Sequence, residues 1–452
     1  MDKVRNHQRW ILFAVILALL LRAGLLAIAV AHPERNLGTD SGSYLQPAQM
    51  LLDDGYYSYP SGMRMPMYPV FIAVVQAVFG ENLIWIIVWQ VLLGLGTVYI
   101  TYRTGILLGL TPASSALGAV ILSLSLESLI SPYFVLTDTF FTFLLLSATY
   151  ALMRFIRSGR LVWLVTTSLL TGLVTLCRPI AMAFGLVSLV ILLAFNRNAP
   201  FLKRVGHTVI YVVLLAALFL FPWTYRNAQV VGIPAITTES DLYWLWSAAT
   251  VEADLQHISV DQAKVELDAV VEQTLAERGL AATEFNLYHV RGEISKEIIF
   301  ANPGRFIYLT LRYDLRSFLP GMGYTVKYLG LSQGSTEGVE VLQAAGIEGI
   351  VSNYFGGQAL SSLIFLPFLV LLAAAYLGAV IGAAGLLKKR DWLALAVLLL
   401  PIAYLLLITG YSANSRYRVP VMPFLALLAG AGLTALWGFL KPKLAKRRRR
   451  AK

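Results

Sequence analysis

The stretch WILFAVILALLLRAGLLAIAVA, residues 10–31, decides the fold. Crossing the hydrocarbon of a bilayer takes roughly 20 mostly apolar residues, because a helix rises only about 1.5 Å per residue. Lys3, Arg5 and Arg9 precede the stretch, as they would in a secretory signal. The apolar core of such a signal runs only about 7–15 residues, so residues 10–31 read as a retained first membrane helix. Further apolar runs follow at 83–103, 113–130, 134–153, 161–177, 180–195, 205–223, 359–387, 392–410 and 419–440. Composition agrees: 58% of the 452 residues are hydrophobic and 13% are charged. A soluble domain typically carries about 25% charged residues. The expectation is an all-α polytopic membrane protein with about ten transmembrane helices.

Charge placement sets the orientation. Basic residues in short loops stay on the cytoplasmic side. With a cytoplasmic N-terminus, the inner segments carry Lys3, Arg5, Arg9, Arg103, Arg154, Arg157, Arg160, Arg197, Lys203, Arg204, Lys388, Lys389, Arg390 and the tail KPKLAKRRRRAK. The short outer loops carry only Arg35, Arg64, Arg178, Arg416 and Arg418. Both termini are therefore expected in the cytoplasm, around a multi-pass chain in the cell membrane. The same placement accounts for the net charge of +11. Basic residues beside a final span hold anionic lipid, which leaves no call for a nucleic-acid partner. The acids run the other way: apart from Asp2 and Asp391, all lie outside or at outer helix ends. Cys177 is the sole cysteine, which excludes an intrachain disulfide and a cysteine-rich metal site.

Two outer segments are long. The first, 32–82, is expected to hold juxtamembrane helices, and its stretch YPVFIAVVQAVF (68–79) is apolar but short. It is either an interfacial helix or part of a longer span. The second, 224–358, is domain-sized. Apolar spacing of three and four over 260–300 predicts helix, Asn302-Pro303-Gly304 breaks it, and RFIYLTLRYDLRSFL resumes it. Residues 321–357, rich in Gly, Ser and Gln, read as a loop. The organisation expected is a transmembrane catalytic module (1–223), a mainly α extracytoplasmic domain (224–358), C-terminal spans (359–440) and a basic cytoplasmic tail (441–452).

Chemistry that needs carboxylates belongs on the outer face. The first loop reads GTDSGSYLQPAQMLLDDGYYSYPSGMRMPMYPVF. Asp40, nine residues past the first span, sits where a general base could meet an incoming hydroxyl or amine. In isolation Thr39-Asp40-Ser41 equally suits a helix N-cap. Arg64, with Tyr44 and Tyr68, suits a phosphate and a sugar, because a planar guanidinium gives parallel charge-assisted hydrogen bonds. Asp53 and Asp54 before Gly55 read as turn residues. Glu127 and Asp138 lie at outer ends of neighbouring spans, where ionisable groups are costly. They could share a cavity and hold a divalent cation or an acceptor, or each could cap its own helix. Arg178, Arg226, Arg416 and Arg418 oppose the positive-inside trend, and ordinary lipid headgroups or a lipid-linked phosphate would explain them. Tyr243, Trp244 and Trp246 could stack on sugar rings or form an interfacial belt. The five histidines show no metal-ligand spacing, and no nucleotide-binding loop is present.

TDSGSYLQPAQ, RMPMYPVFIAV, TDTFFTFLL, GLVTLCRP, FPWTYRNAQVVG and RYRVPVMPFLALLAG, in that order, resemble the type C glycosyltransferases. The nearest likeness is to the bacterial dolichyl-phosphate-mannose protein mannosyltransferase-like and aminoarabinose transferase-like branch. The resemblance spans residues 10–440 and is weakest over 240–357. It implies transfer of a sugar from a polyprenyl-phosphate donor to a glycan, lipid or protein acceptor on the outer face. The family's catalytic Asp lands on Asp40. Its second acidic motif, commonly Thr-Glu, lands on Thr137-Asp138, a carboxylate shorter by one methylene. Its arginine motifs land on Arg64, Arg178-Pro179, and Arg416 with Arg418. Two other readings stay open: a ligase or polymerase with a polyprenyl-diphosphate donor, and a lipid-linked sugar transporter or flippase.

Overall fold

The structure is a computed structural model that describes residues 2–196, 199–319, 321, 323–330 and 359–450. Among them every regular element is helical. In chain order these are α1 (Asp2–Ala31), α2 (Gly42–Asp54), α3 (Met67–Phe79), α4 (Leu83–Leu107), α5 (Pro112–Leu124), α6 (Leu126–Ile130), α7 (Asp138–Ser158), α8 (Leu161–Thr175), α9 (Phe184–Phe195) and α10 (Phe201–Leu215). There follow α11 (Phe221–Val231), α12 (Ser240–Gln256), α13 (Val260–Glu277), α14 (Glu284–Ala301), α15 (Pro303–Asp314), α16 (Gly323–Leu329), α17 (Ala359–Lys388), α18 (Trp392–Leu407) and α19 (Met422–Arg450).

The chain is a multi-pass membrane protein. Among the described residues six helices are long and apolar enough to cross a bilayer: α1, α4, α7, the unit Phe201–Val231, α17 and α19. The bent pair Pro112–Leu124 and Leu126–Tyr133 makes a seventh if counted as one span. The runs at 161–177, 180–195 and 392–410 form shorter apolar helices of 10–17 residues, as does 68–79.

The structure departs from the sequence reading in four places. The run 113–130 is not one straight helix: its two pieces meet at 68°, with Ser125 extended (ψ 120°) between them. Two tethers hold the short piece after the bend, since the buried Arg22 donates to the Ser128 carbonyl and Arg418 pairs with Glu127. The run 205–223 is longer than expected. A π-helical turn at Ala216–Leu220 carries it into α11, so Arg226 lies on a helix. Residues 240–256 are helical (α12), although no periodicity marks them. Within the loop expected at 321–357, residues 323–329 form α16, and residues 331–357 lie outside the described residues. Residues 451–452 and the side chains of 443–450, which carry the basic tail, also lie outside them.

The local signals that did hold are physical. Thr111 caps α5 through Ser114 N, with Pro112 at the first helical position. Ser259 and Thr283 cap α13 and α14 in the same way. Leu245, Ala248, Leu267, Val271, Val290 and Ile299 bury one face each of α12, α13 and α14 against one another.

Small residues let the membrane helices meet closely. A Cβ on Gly432 would lie 1.9 Å from the Gly378 carbonyl oxygen of α17. One on Gly430 would lie 2.2 Å from the Ser114 carbonyl oxygen of α5. Backbone is thus packed on backbone, the device by which membrane helices associate without a hydrophobic drive between them. Gly432→Leu is expected to cost at least about 1–3 kcal/mol, the ordinary penalty of overpacking. Thermal unfolding of the detergent-solubilised chain would read this as a lowered midpoint, whereas Gly438→Leu, in open space, should leave the midpoint unchanged.

Candidate active site

The first loop is strapped to the start of α7. The Ser41 hydroxyl donates to the Val135 carbonyl at 2.8 Å, and Val135 N donates to the Asn36 carbonyl at 2.9 Å. Gly38 N donates to Ser41 Oγ at 2.8 Å, and a Cβ on Gly38 would sit 2.9 Å from Leu136. Residue 40 is thereby fixed beside residue 138. Ser41, not Asp40, occupies the N-cap position of α2, and its side chain does not cap. The Asp40 carboxylate points elsewhere.

Its Oδ2 accepts from Arg416 Nη1 at 3.3 Å. The same guanidinium donates through Nε and Nη2 to Asp138 Oδ2, at 3.2 and 3.0 Å. Arg178 Nη1 donates to the other oxygen, Asp138 Oδ1, at 2.6 Å. Asp138 opens α7, where the helix N-terminus also favours negative charge. Arg178 is held over the rings of Phe141 and Tyr417, 5.6 and 5.1 Å from their centroids. Two acids and two arginines, from four separate stretches of chain, thus form one cluster.

A second pair lies alongside. Arg64 Nη1 donates to Glu239 Oε1 at 3.0 Å, with its guanidinium 5.2 Å from the Tyr44 ring centroid. Burial raises the Glu239 carboxyl above its ordinary range, and Arg64 offsets this only in part. Burial also pushes the Tyr44 hydroxyl up to about 12. Burial alone would weaken the charge on Arg416, but Asp138, Tyr324 and Asp40 more than compensate, so its pKa ends well above the usual value. Three acids therefore balance three arginines. Asp40 is the accessible one, with 40% of its side chain exposed against 3% for Asp138 and 10% for Glu239.

Other expected site residues stand apart. Glu127 and Asp138 bind different arginines: Glu127 pairs with Arg418, which also donates to the Ser317 and Leu319 carbonyls, both at 2.8 Å. Arg418 is 1% exposed. Arg226 donates to the Tyr59 and Ser61 carbonyls and stacks on Tyr57 and Trp223, so it pins the end of the first loop. Tyr68 is fully buried: its hydroxyl donates to Gln90 Oε1 at 3.0 Å and its ring meets Tyr44 edge-on at 5.2 Å. Asp53 and Asp54 are not turn residues but the last two residues of α2, which Gly55 terminates; Asp53 accepts from Gln49 and Asp54 from Ser58, both exposed. Trp244 is half exposed and tilts against Phe306, while Tyr243 meets Trp246 edge-on. Among the described residues no group of three His, Cys, Asp or Glu side chains could hold a metal ion. The neighbours of Asp40 and Asp138 are guanidinium groups, a donor set that does not fit a divalent cation.

Sequence reasoning missed Glu239 and Tyr324. Tyr324 OH accepts from Arg416 Nη1 at 3.1 Å, and its ring lies 5.4 Å from that guanidinium. Helix α16 delivers it, docked on the first loop by Lys327 Nζ to the Leu37 carbonyl at 3.0 Å and on α1 by the Tyr328 hydroxyl to the Leu25 carbonyl at 2.7 Å. No spacing in the sequence marks either residue, because both act across long chain separations.

Residues 61–225 match the family model described as dolichyl-phosphate-mannose-protein mannosyltransferase. The archaeal oligosaccharyltransferase AglB from Archaeoglobus fulgidus, in complex with an inhibitory peptide and a dolichol-phosphate, superposes with a TM-score of 0.51 at 12% identity, over 98% of this chain and 52% of that one. Its apo form gives 0.51 at 13% identity, over the same shares. ArnT from Cupriavidus metallidurans, bound to undecaprenyl phosphate, gives 0.40 at 14%, over 97% of this chain and 80% of that one. This chain spans about half the length of AglB. No curated protein matches in sequence. Residues 61–225 thus carry the pattern of the mannosyltransferase family, and the chain shares its fold with the archaeal oligosaccharyltransferase.

Arg178→Met leaves the buried Asp138 with one cation. It is expected to cost up to about 3–5 kcal/mol, the range for breaking a buried ion pair. Adding Asp138→Leu removes the orphaned charge and should recover part of that loss, read as a rise in thermal midpoint of the double variant over Arg178→Met.

Proposed function

We propose that this chain transfers a sugar from a polyprenyl-phosphate donor to an acceptor on the outer face of the cell membrane, with Asp40 as general base. The observation that carries this reading is the Asp40–Arg416–Asp138–Arg178 cluster, in which the one accessible carboxylate faces a preassembled set of guanidinium groups. The family pattern at residues 61–225 supports the lipid-phosphate donor, since its description names dolichyl-phosphate-mannose. The dolichol-phosphate in the AglB complex is in keeping with that class.

The chemistry is a single displacement. Asp40 takes the proton of the acceptor hydroxyl or amine, and the freed electron pair attacks the anomeric carbon. The bond from that carbon to the phosphate oxygen breaks, and the polyprenyl phosphate leaves with its electrons. Among the described residues Arg64 and Arg178 each give only Nη1 to a carboxylate, which leaves Nε and Nη2 of each for the phosphate. Donors fixed in advance stabilise the developing negative charge without rearranging during the reaction. Asp138 positions Arg416 and Arg178 and makes no contact with the reacting atoms.

In this reading the chain crosses the membrane ten times. The three shorter helices α8, α9 and α18 count as spans with the six long helices and the bent pair. Both termini lie in the cytoplasm, α2 and α3 lie at the outer surface, and residues 224–358 form an outer domain that selects a glycan, lipid or protein acceptor. Residues 1–223 with the spans of 359–440 hold the catalytic machinery. Asp138 at the start of α7, Arg178 after α8 and Arg416 after α18 then share one face, as alternating spans require.

Asp40→Asn keeps size and polarity but cannot take a proton. It is expected to lower transfer from a polyprenyl-phosphate sugar by about 10²–10⁴-fold, the usual weight of a general base, with an unchanged thermal midpoint. Turnover equal to wild type would overturn the assignment. Competition between mono- and diphosphate lipids separates this donor class from a diphosphate-dependent ligase, and sugar movement across vesicles without transfer would mark a flippase.

A further inference from the structure

Helix α15 has two apolar faces, and only one of them is packed. Leu309 and Tyr313 bury the inner face against Val251 of α12. Ile307, Tyr308 and Leu311, with Leu315 in the turn that follows, form the other, at helical spacings of three and four. Each of these four is about half exposed. The helix has 12 residues, too few to cross a bilayer. Arg305 and Arg312, two turns apart, are exposed along one flank of the stripe, Arg305 also pairing with Asp254. A contiguous apolar patch with a charged edge marks a contact surface.

The neighbouring element shows what covers that patch. Helix α18 has no charged residue and packs on the long spans α17 and α19. Just past its end, Thr409 Oγ1 and Gly410 N donate to Asp314 Oδ1 at 2.6 and 2.7 Å, which pins the last turn of α15 to the C-terminal end of α18. From there a cleft of about 780 Å³ runs between the two helices, with Tyr308, Leu311 and Leu315 on one wall and Leu399, Ile402 and Leu406 on the other. Leu399 lies eight residues before Leu407, the last residue of α18, so the cleft follows the flank of that helix for about 12 Å. The side chains of α15 therefore stand beside apolar span. Leu399 and Leu407 are themselves exposed on it, and the medium that covers them is continuous with the one that covers α15.

We infer that α15 is an interfacial helix seated in the surface of the phospholipid bilayer, with Ile307, Tyr308, Leu311 and Leu315 among the acyl chains and Arg305 and Arg312 at the level of the phosphates. A short helix with an apolar stripe and basic flanks binds lipid in this way, sunk about 5–10 Å into the boundary between headgroups and chains. A guanidinium fork matches phosphate oxygens, which every phospholipid carries, so no particular headgroup is required. Which leaflet this is follows from the topology proposed above; that the face meets lipid does not. Asp314 passes the restraint on to Thr409 and Gly410, in the segment that leads to Arg416.

The test is spin-label EPR on the full chain in POPC/POPG nanodiscs. Cys177 is buried, so a nitroxide reagent attaches to an introduced cysteine. Ile307→Cys and Leu311→Cys report the outward face, and Glu272→Cys, exposed on α13, reports water. Collision with dissolved oxygen, which concentrates in lipid, is compared with collision with a nickel chelate, which stays in water. At 307 and 311 the expected result is a gain in oxygen collision and a loss of nickel collision relative to 272. Nickel collision equal to that at 272 places the face in water and overturns the inference. Loss of collision with both reagents also overturns it, because the face is then covered by protein, a second copy of the chain or another partner. Either position decides alone, so a label that perturbs one leaves the other to settle the matter. No part of the measurement depends on sugar transfer, so its failure leaves the transferase reading standing, and the reverse.

Discussion

A carboxylate that is almost entirely removed from water must have cations against it, and Asp138 is the carboxylate on which this architecture turns. At 3% side-chain exposure its ionised form is untenable alone, so both oxygens are occupied, one by Arg178 and the other by Arg416. That requirement brings the end of α8 and the segment after α18 to the start of α7. Arg416 then has a free edge, and the strap from Asn36 to Val135 places Asp40 there. Taking Asp138 away would remove the reason for the other three groups to be near one another.

The members of this cluster were individually visible in the sequence, and their pairing was not. Asp40, Arg64, Asp138, Arg178 and Arg416 stand out because arginines in loops expected to be outer, and acids at span ends, break the charge rules of membrane proteins. Which acid meets which arginine is a matter of helix packing, and Asp138 and Arg416 are separated by 278 residues. Adjacent expectations therefore failed in informative ways. Glu127 looked like a partner for Asp138 because ten residues separate them, yet the bend at Ser125 turns it to Arg418. Arg418 and Arg226 look like Arg416 on paper, but Arg226 donates to carbonyls of the first loop and Arg418 divides its donors between Glu127 and the Ser317 and Leu319 carbonyls. The helical class was legible from apolar runs alone. Span lengths were less so, because the bend at Ser125 and the π turn at 216–220 leave no compositional mark.

The stretch between α11 and α17 contributes more than bulk. Glu239 neutralises Arg64, and Tyr324 touches Arg416 beside Asp40. These helices thus supply part of the wall around the accessible carboxylate. They are tied down by contacts that leave the cluster itself free: Arg226 and Thr237 bind carbonyls of residues 59–63, and α16 is held to the first loop and α1. A rigid frame of this kind suits a site whose working donors must be aligned before a substrate arrives.

The long chain separation between Asp138 and its second arginine also bears on biosynthesis. Arg416 lies 278 residues after Asp138, so it is threaded long after α7 has left the ribosome. Until then Asp138 has Arg178 alone, and Asp40 has no cation of its own. A nascent or truncated chain that stops before residue 416 lacks the second cation of Asp138, however well its early spans have been inserted, and it carries a poorly neutralised acid that marks it as unfinished.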